Sequence, residues 1–366
     1  MKDIKQHLNV LMYDLTLKKI EDVKIGDLLM GDDGTYRRVI SKTNKYGKIY
    51  NIHQTSGEDY FTNGEHTLVL KKSETAKRPY GNITKKGTLR HPNGRLASYE
   101  DYENMNIIDF LQKSLTFREN FFTFKPTTIH CEEKEVYIDP YLLGIWLGDG
   151  SARNTSIISM DDEIIKYIYE YADKNNLSVN KLERDWEKAD VYKLNRPLVN
   201  RTRKNELLEN LRKYNLINNK HIPQEYINNS ERVRIELMAG LIDTDGSLSK
   251  NNVYEFYQKS YDFIRDVKII ADSLGFRTSL REKKNCICNG KNYGTHYRLS
   301  ISGDLWRIPC KVKRKKVTKD MLSKNKDWRV SMIKPIEIGD GEYTEIKVDG
   351  NGNYLLGDFT IAHNSI

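Results

Sequence analysis

Two stretches of the chain carry the clearest hydrophobic pattern, and they resemble each other. "YLLGIWLGDGS" at 141–151 and "ELMAGLIDTDGS" at 236–247 are apolar runs with small residues at helical spacing, Gly144 with Gly148 and Gly240 with Thr244. Each run ends in Asp-Gly-Ser. The pattern predicts two helices, and small residues four apart share one helix face and let a second backbone come close. The segments downstream of the two runs repeat as well. Strand-like "SIIS" and helical "DDEIIKYIYEYADKNN" come after the first; alternating "VYEFYQK" and helical "YDFIRDVKIIADSLGF" come after the second, with strands again around "RTSLREKK" and "HYRLSIS". Asp149 and Asp245 lie 96 residues apart, room for one αββα-like half per repeat. Two halves related by a pseudo-twofold axis through the helix pair would form a saddle whose strands carry alternating Lys, Arg, Gln, Asn and Tyr. That surface suits the major groove of duplex DNA.

The two ends of the chain follow a different pattern. "NVLMYDLTLKKIEDVKIGDLLMGDDGTYRRV" reads as short strands separated by turns at Asp14, Gly26 and Asp32-Asp33-Gly34, and "YTEIKVDGNGNYLLGDFTIAHN" reads likewise. Both predict all-β structure. Between Lys71 and Arg95, eight basic residues stand against one acid, interrupted by Pro79, Gly81, Gly87, Pro92 and Gly94. With no helical or alternating period, this is a loop-rich excursion. It and "KVKRKKVTK" from Lys311 carry much of the net charge of +9. They are either solvated surfaces or phosphate contacts that release counterions.

The acids sharpen the picture. Asp149 and Asp245 fall at the C-terminal ends of the two predicted helices, where the macrodipole disfavours a carboxylate. Packing the helices through their small faces brings the carboxylates together, and a hard divalent cation resolves the repulsion. The arrangement predicts Mg²⁺ polarising a phosphate and activating water.

The 366 residues, 38% hydrophobic, suffice for two domains or for one domain with an insertion. No apolar run reaches the ~18 residues of a membrane span, and "MKDIKQHL" lacks a signal-peptide core. The expectation is a soluble, intracellular protein without a membrane partner. Cys131, Cys286, Cys288 and Cys310 lack the spacing of a zinc site and read as reduced thiols.

"LMAGLIDTDG" closely resembles the signature of the LAGLIDADG homing endonucleases, and "LLGIWLGDG" is similar to the degenerate first copy of single-chain members. The resemblance implies that Asp149 and Asp245 are the metal-binding catalytic acids, with Gly148 and Thr244 at the metal sites and Mg²⁺, or Mn²⁺ in its place, as cofactor. It implies a monomer that cuts both strands of DNA at a long recognition site, with nuclear or cytoplasmic access to that DNA. A basic residue accompanies each scissile phosphate in such enzymes: Lys220 in "NNKHIPQEY" matches one position, and Lys316 or its neighbour Lys315 in "KRKKV" resembles the other.

The flanks resemble the two ends of an intein, the self-splicing Hint fold, on the strings "IGDLLMGDDG" and "LLGDFTIAHN". The implied fold is mixed: an all-β Hint domain made by both chain ends, with an inserted α+β endonuclease. Residues 1–134 form its N-terminal part, with a basic DNA-contacting excursion at about 71–130. Residues 135–323 form the endonuclease, and 324–366 the C-terminal part with the splice junction. On this resemblance Asn364 attacks its own carbonyl carbon through the side-chain amide, breaking the Asn364-Ser365 bond. His363 donates a proton to the leaving amine, and Ser365 is the first residue of the downstream host segment, the extein. Asn63 and His66 in "FTNGEHTLVL" match the motif that activates the upstream scissile peptide.

Two departures stand out. Asp3 falls where such inteins place their first Cys or Ser, so the initial acyl shift has no nucleophile, and Gly352 falls near a common His. The rival readings are a free-standing mating-type-switch-like nuclease that no longer splices, and a DNA-binding regulator that has lost catalysis. Intact "AHNS" opposes the first, and the presence of both acids opposes the second.

Overall fold

A computed structural model describes residues 4–5, 8–72, 102–183, 189–196, 204–284, 287–288, 291–292, 294–322 and 328–364. The chain divides into two compact units, residues 1–129 with 324–366, and residues 130–323. The first boundary thus falls before His130 rather than before Glu135, because His130–Lys134 already belongs with the second unit, where Lys134 and Asn229 exchange hydrogen bonds of 3.0 Å.

The first unit is closed by pairing two segments from opposite ends of the chain. Strand Tyr36–Gln54 runs antiparallel to strand Ile333–Val348, from Ile333 opposite Gln54 to Val348 opposite Val39, with irregularities at Glu337/Gly339 and Lys347/Val348. Period-two burial fixes the register: Arg37 and Val39 point inward while Tyr36, Arg38 and Ile40 point out. A second sheet orders the strands Val330–Ser331, Phe121–Phe124, Thr67–Lys72, Ile361–His363 and Asn353–Leu355, with Tyr102–Asn106 also on Thr67–Lys72. The core between these elements holds Val10, Leu29, Val39, Ile52, Leu68, Phe110, Ile346 and Tyr354.

The basic excursion expected over about 71–130 is narrower than that. Tyr102–Asn106 is a strand of the sheet, and two short helices come next, Ile107–Gln112 capped by Asn106 and Leu115–Arg118 capped by Ser114. Phe110, Phe117 and Phe121 are buried, the last two stacked at 4.1 Å between centroids. This apolar content commits the segment from 102 onward to the core. Residues 73–101, which hold most of the basic cluster, lie outside the described residues.

The second unit contains the two halves. The first motif helix, Pro140–Asp149, is started by Asp139, whose carboxylate accepts from Leu142 N, and by Pro140 in the first turn. Strand Ser156–Ser159, helix Asp162–Lys174 and strands Ser178–Leu182 and Asp190–Asn195 come after it, the strands forming a three-stranded antiparallel sheet. The second motif helix, Glu231–Asp245, is capped by Ser230 and leads into hairpin Gly246–Leu248/Tyr254–Gln258, helix Tyr261–Ser273 and strands Arg277–Lys283 and His296–Ser302. Its sheet has four strands. The halves correspond closely at the motif ends: Gly246 pairs with Phe256, and Gly150 forms a single bridge to Ile157. Among the described residues, no helix is long and apolar enough to cross a membrane.

Candidate functional site

The motif helices meet through their small residues. A Cβ built on Gly144 would stand 2.9 Å from Gly240 Cα, and one built on Gly240 would stand 3.0 Å from Gly144 Cα. One turn on, a Cβ at Gly148 would run into the Thr244 side chain. Only glycine allows this approach. Gly240→Ala should therefore destabilise the second unit by about 1–3 kcal/mol, outweighing the better helix propensity of alanine. Urea unfolding of the variant checks this; an unchanged midpoint would show that the helices can part without cost.

The ends of these helices differ from those of their neighbours. Helices Asp162–Lys174 and Glu206–Lys213 finish with left-handed Asn176 and Asn215, and the amides of Leu177 and Leu216 fold back onto Ala172 O and Leu211 O. Terminal carbonyls are thereby satisfied locally. The motif helices instead exit through extended Gly150 and Gly246, which leaves their last carbonyls open. Two lysines fill the gap. Lys220 Nζ donates to the carbonyls of Leu147 (3.0 Å), Gly148 (3.1 Å) and Gly150 (2.6 Å). Lys315 Nζ donates to those of Ile242 (2.8 Å), Asp243 (2.7 Å) and Thr244 (3.0 Å). Each ammonium neutralises the negative end of one helix, where an acid would otherwise be disfavoured.

Asp149 and Asp245 project from these capped ends. Burial and the neighbouring Asp245 carboxylate raise the pKa of Asp149, against Lys315 and Lys220. Burial raises that of Asp245, against Lys220, a Gln258 hydrogen bond and Lys315. Burial lowers the pKa of both lysines. Asp245 Oδ2 accepts from Gln258 Nε2 at 2.7 Å, whereas Asp149 has no hydrogen-bond partner among the described residues. Two repelling carboxylates form a hard oxygen set suited to a divalent cation. Among the described residues no third His, Cys, Asp or Glu joins them, so any remaining ligands would be neutral protein oxygens, water or phosphate. Gly148 can offer only a carbonyl oxygen that already accepts Lys220; the Thr244 carbonyl already accepts Lys315, and its hydroxyl donates back to Gly240 O (3.0 Å).

Of the two alternative lysines, the structure brings Lys315 to the helix end, 4% exposed. Lys316 is exposed and lines a surface cavity with Glu163 and Lys166. Two further residues of this region carry no signal in the sequence. Gln258 closes the strand "VYEFYQ", and only the hairpin register brings it to Asp245. Asp243, 1% exposed, accepts from Tyr141 Oη (2.7 Å) and from the backbone of Lys311 (2.6 Å), tying the first motif helix to the segment that carries Lys315.

In the first unit, a second constellation surrounds the C-terminal strand Ile361–His363. Asn364 N donates to Gly352 O (3.0 Å), and its carboxamide pairs with the backbone of one residue, Oδ1 accepting from Val348 N (2.8 Å) and Nδ2 donating to Val348 O (2.9 Å). His363 Nδ1 lies 2.8 Å from Asn364 O, so its N–H polarises the very carbonyl that Asn364 would attack. The family resemblance has His363 donating to the leaving amine; the geometry adds this contact at the oxygen. Gly352, with φ of 78°, backs onto the pair, because a Cβ there would lie 2.9 Å from His363 Nε2 and 3.0 Å from Asn364 Nδ2.

Asn63 and His66 are buried together. Burial takes the His66 pKa down to about 4, so its ring is neutral near pH 7. Asn63 Nδ2 donates to Glu345 Oε1 (3.0 Å), and Lys45 holds the other oxygen at 2.6 Å. Asn63 Oδ1 and Thr67 Oγ1 are buried acceptors with no partner among the described residues. Glu345 is invisible to sequence reasoning, since its partner is 282 positions away. Ser365 and Asp3 lie outside the described residues.

Two family models match the chain: a homing-endonuclease-associated Hint over residues 5–92 and a LAGLIDADG-like domain over 232–308. The replicative DNA helicase DnaB of Mycobacterium intracellulare is 26% identical over 302 residues, covering 82% of this chain and 46% of that protein. The chain thus spans about half the length of this curated relative. Similar solved structures include mesophilic variants of the homing endonuclease I-DmoI, with a TM-score of 0.33 and 16% identity over 45% of this chain and 88% of that one. The gp41-1 intein is similar at a TM-score of 0.16 and 18% identity, over 28% of this chain and 79% of that one. The Hint match covers the strand that closes onto the C-terminal segment, and the LAGLIDADG match covers the second motif helix: this chain carries a homing-endonuclease-associated Hint domain and a LAGLIDADG-like domain.

Proposed function

We propose that residues 130–323 cut both strands of duplex DNA at a long specific site, and that the first unit breaks the peptide bond after Asn364. The observation that supports the nuclease reading best is the convergence of Asp149 and Asp245 on lysine-capped helix ends. Both half-sites come from one chain, so a monomer suffices. Asp149 and Asp245 would hold Mg²⁺, or Mn²⁺ in its place, which supplies Lewis-acid polarisation of a phosphate and an activated water. Lys220 and Lys315 hold the carboxylates' helix ends in register and present positive potential to the DNA phosphates. Retention of both acids favours cleavage over mere binding by a regulator. Incubating the purified protein with a library of duplex sites, with Mg²⁺, Mn²⁺ or chelator, tests this; products in chelator would remove the metal from the reading.

The two lysines make a sharper test. Lys315→Met should slow cleavage by about 10²–10³-fold, while Lys316→Met should leave the rate nearly unchanged. Single-turnover rates on one cleaved site decide between them, and the reverse order would return the role to Lys316.

At the chain end, Asn364 Nδ2 bonds to its own carbonyl carbon and the bond to Ser365 breaks, freeing the Ser365 amine and leaving a succinimide. His363 Nδ1–H supports the carbonyl oxygen as charge develops there. With Asp3 in the first nucleophile position, no ester or thioester forms upstream, so this release is uncoupled from splicing. The host flanking segments are then substrates, and the nuclease acts wherever the host protein meets DNA inside the cell. The missing nucleophile keeps a second reading open to test, a nuclease descended from an intein that no longer splices.

A further inference from the structure

Arg37 is 4% exposed, yet the chemistry so far gives it no role. Its guanidinium is fully engaged. Nε donates to Asn351 Oδ1 (3.0 Å), Nη1 to Thr35 Oγ1 (2.5 Å) and Tyr36 O (3.2 Å), and Nη2 to Asp33 Oδ2 (2.9 Å) and Asp32 Oδ1 (3.4 Å). Burying an arginine is costly unless every donor is met, and apolar packing would hold a β-turn at less cost. The partners show what this arrangement achieves. Apart from Tyr36 O, they belong to two turns about 314 positions apart, residues 31–35 and 349–353.

The second turn is pinned from several sides. Asn351 Nδ2 donates to Asp32 Oδ1 (3.0 Å) and Asn353 Nδ2 to Asp32 Oδ2 (2.8 Å). Arg38 N donates to Asp349 Oδ1 (2.8 Å), and Asp349 N returns a bond to Arg38 O (3.0 Å). Gly350, with φ of 68°, presses on Arg37, since a Cβ there would stand 3.1 Å from Nε. Two residues later, Gly352 presses on His363 and Asn364 and accepts the Asn364 amide. The turn is thus wedged between Arg37 on one side and the terminal His-Asn pair on the other.

We propose that Arg37 is a positioning residue for the Asn364 reaction, acting through the 349–352 turn to set where Gly352 stands against His363 and Asn364. This rests on the reading that Asn364 breaks its own peptide bond. The reaction closes a small ring, and a misplacement of ~1 Å costs about 10²-fold in such steps.

The test uses the full chain fused at Ser365 to a downstream reporter, as the unaltered sequence, Arg37→Met, Arg37→Lys, Asn351→Ala, Asn364→Ala, and Lys48→Met as control. Lys48 forms an exposed ion pair with Glu337 on the same strand pair and touches neither turn. Release is monitored by mass spectrometry at a temperature where near-UV circular dichroism shows each variant folded, and exchange of the Asn364 amide is measured in parallel. Arg37→Met should slow release about 10²-fold and speed exchange of that amide, with Arg37→Lys recovering part of both and Lys48→Met neither. Should Arg37→Met not fold, Asn351→Ala, which removes the Nε contact together with the Asn351 bonds to Asp32 and to Asn353 N but leaves the other Arg37 donors engaged, should slow release by a smaller factor. Release from Arg37→Met within twofold of the unaltered chain, or from Asn351→Ala at the unaltered rate where Arg37→Met is unfolded, overturns the role of Arg37 alone. Equal absence of release from the unaltered chain and Asn364→Ala overturns the Asn364 reading, and the role of Arg37 with it.

Discussion

Asp149→Asn and Asp245→Asn should each reduce double-strand cleavage by at least about 10³-fold, the scale of several kcal/mol of transition-state charge stabilisation, while DNA binding persists. The same substitutions should raise the melting temperature of the metal-free protein at neutral pH. Both carboxyls have pKa values raised in the folded state, by burial first and, for Asp149, by its neighbour. A raised folded value means that the ionised acid weighs against folding above that value. The cost is relieved as pH falls through the raised value toward the unfolded one. The asparagine variants should therefore gain their stability advantage at pH 7 and lose it near pH 4. Activity of the unaltered enzyme should fall over the acidic side of the same window, because the carboxylates must be ionised to hold a cation. Thermal melts in chelator at the two pH values, beside a pH–rate profile, check both. Full-rate cleavage by either variant, or lower melting temperatures at pH 7, would sink the assignment.

Asn364→Ala should abolish release of a downstream partner, since no other group supplies the carboxamide nitrogen. His363→Gln should slow release by about 10²–10⁴-fold without stopping it, because water can replace a positioned proton donor at that cost. An upstream partner should stay attached in every variant. Prolonged incubation and then intact-mass analysis reads all three outcomes. Ligated upstream and downstream partners would show that a nucleophile exists elsewhere near the N-terminus. Release from the alanine variant would mean that the bond breaks by ordinary hydrolysis.

The motif helices are legible in the sequence because two independent patterns coincide on them. Small residues four apart fix a contact face, and acids at the wrong helix end need a partner, so Gly144, Gly240, Asp149 and Asp245 carry their geometry in their spacing. The lysines are legible only to within a neighbour. "KRKKV" offers several cations at adjacent positions, and only the backbone path through Val312 determines that Lys315 turns inward while Lys316 faces solvent. Gln258, Asp243, Glu345 and Arg37 are not legible, because each acquires its role from a partner brought by strand register or by a turn far along the chain. The helices at 107–118 escape a sequence reading for a local reason. They are short and come after a polar, period-free stretch, and their phenylalanines gain meaning only from the core they enter.

The pairing of Tyr36–Gln54 with Ile333–Val348 also sets a clock. About 280 residues separate Gln54 from its partner Ile333. A ribosome adding roughly 5–20 residues per second takes roughly 15–60 seconds to cross that gap. Throughout that interval the N-terminal strands lack the partner that completes their sheet, whereas residues 130–323 form a contiguous stretch able to fold as they emerge. The long-range closure comes last, as pairings of high sequence separation do. His363 and Asn364 are made later still, so the peptide bond after Asn364 meets its complete surroundings only when the inserted nuclease has already been synthesised. If Asn364 reacts as proposed, translation order alone would keep the nascent chain from cutting itself before residues 130–323 are made.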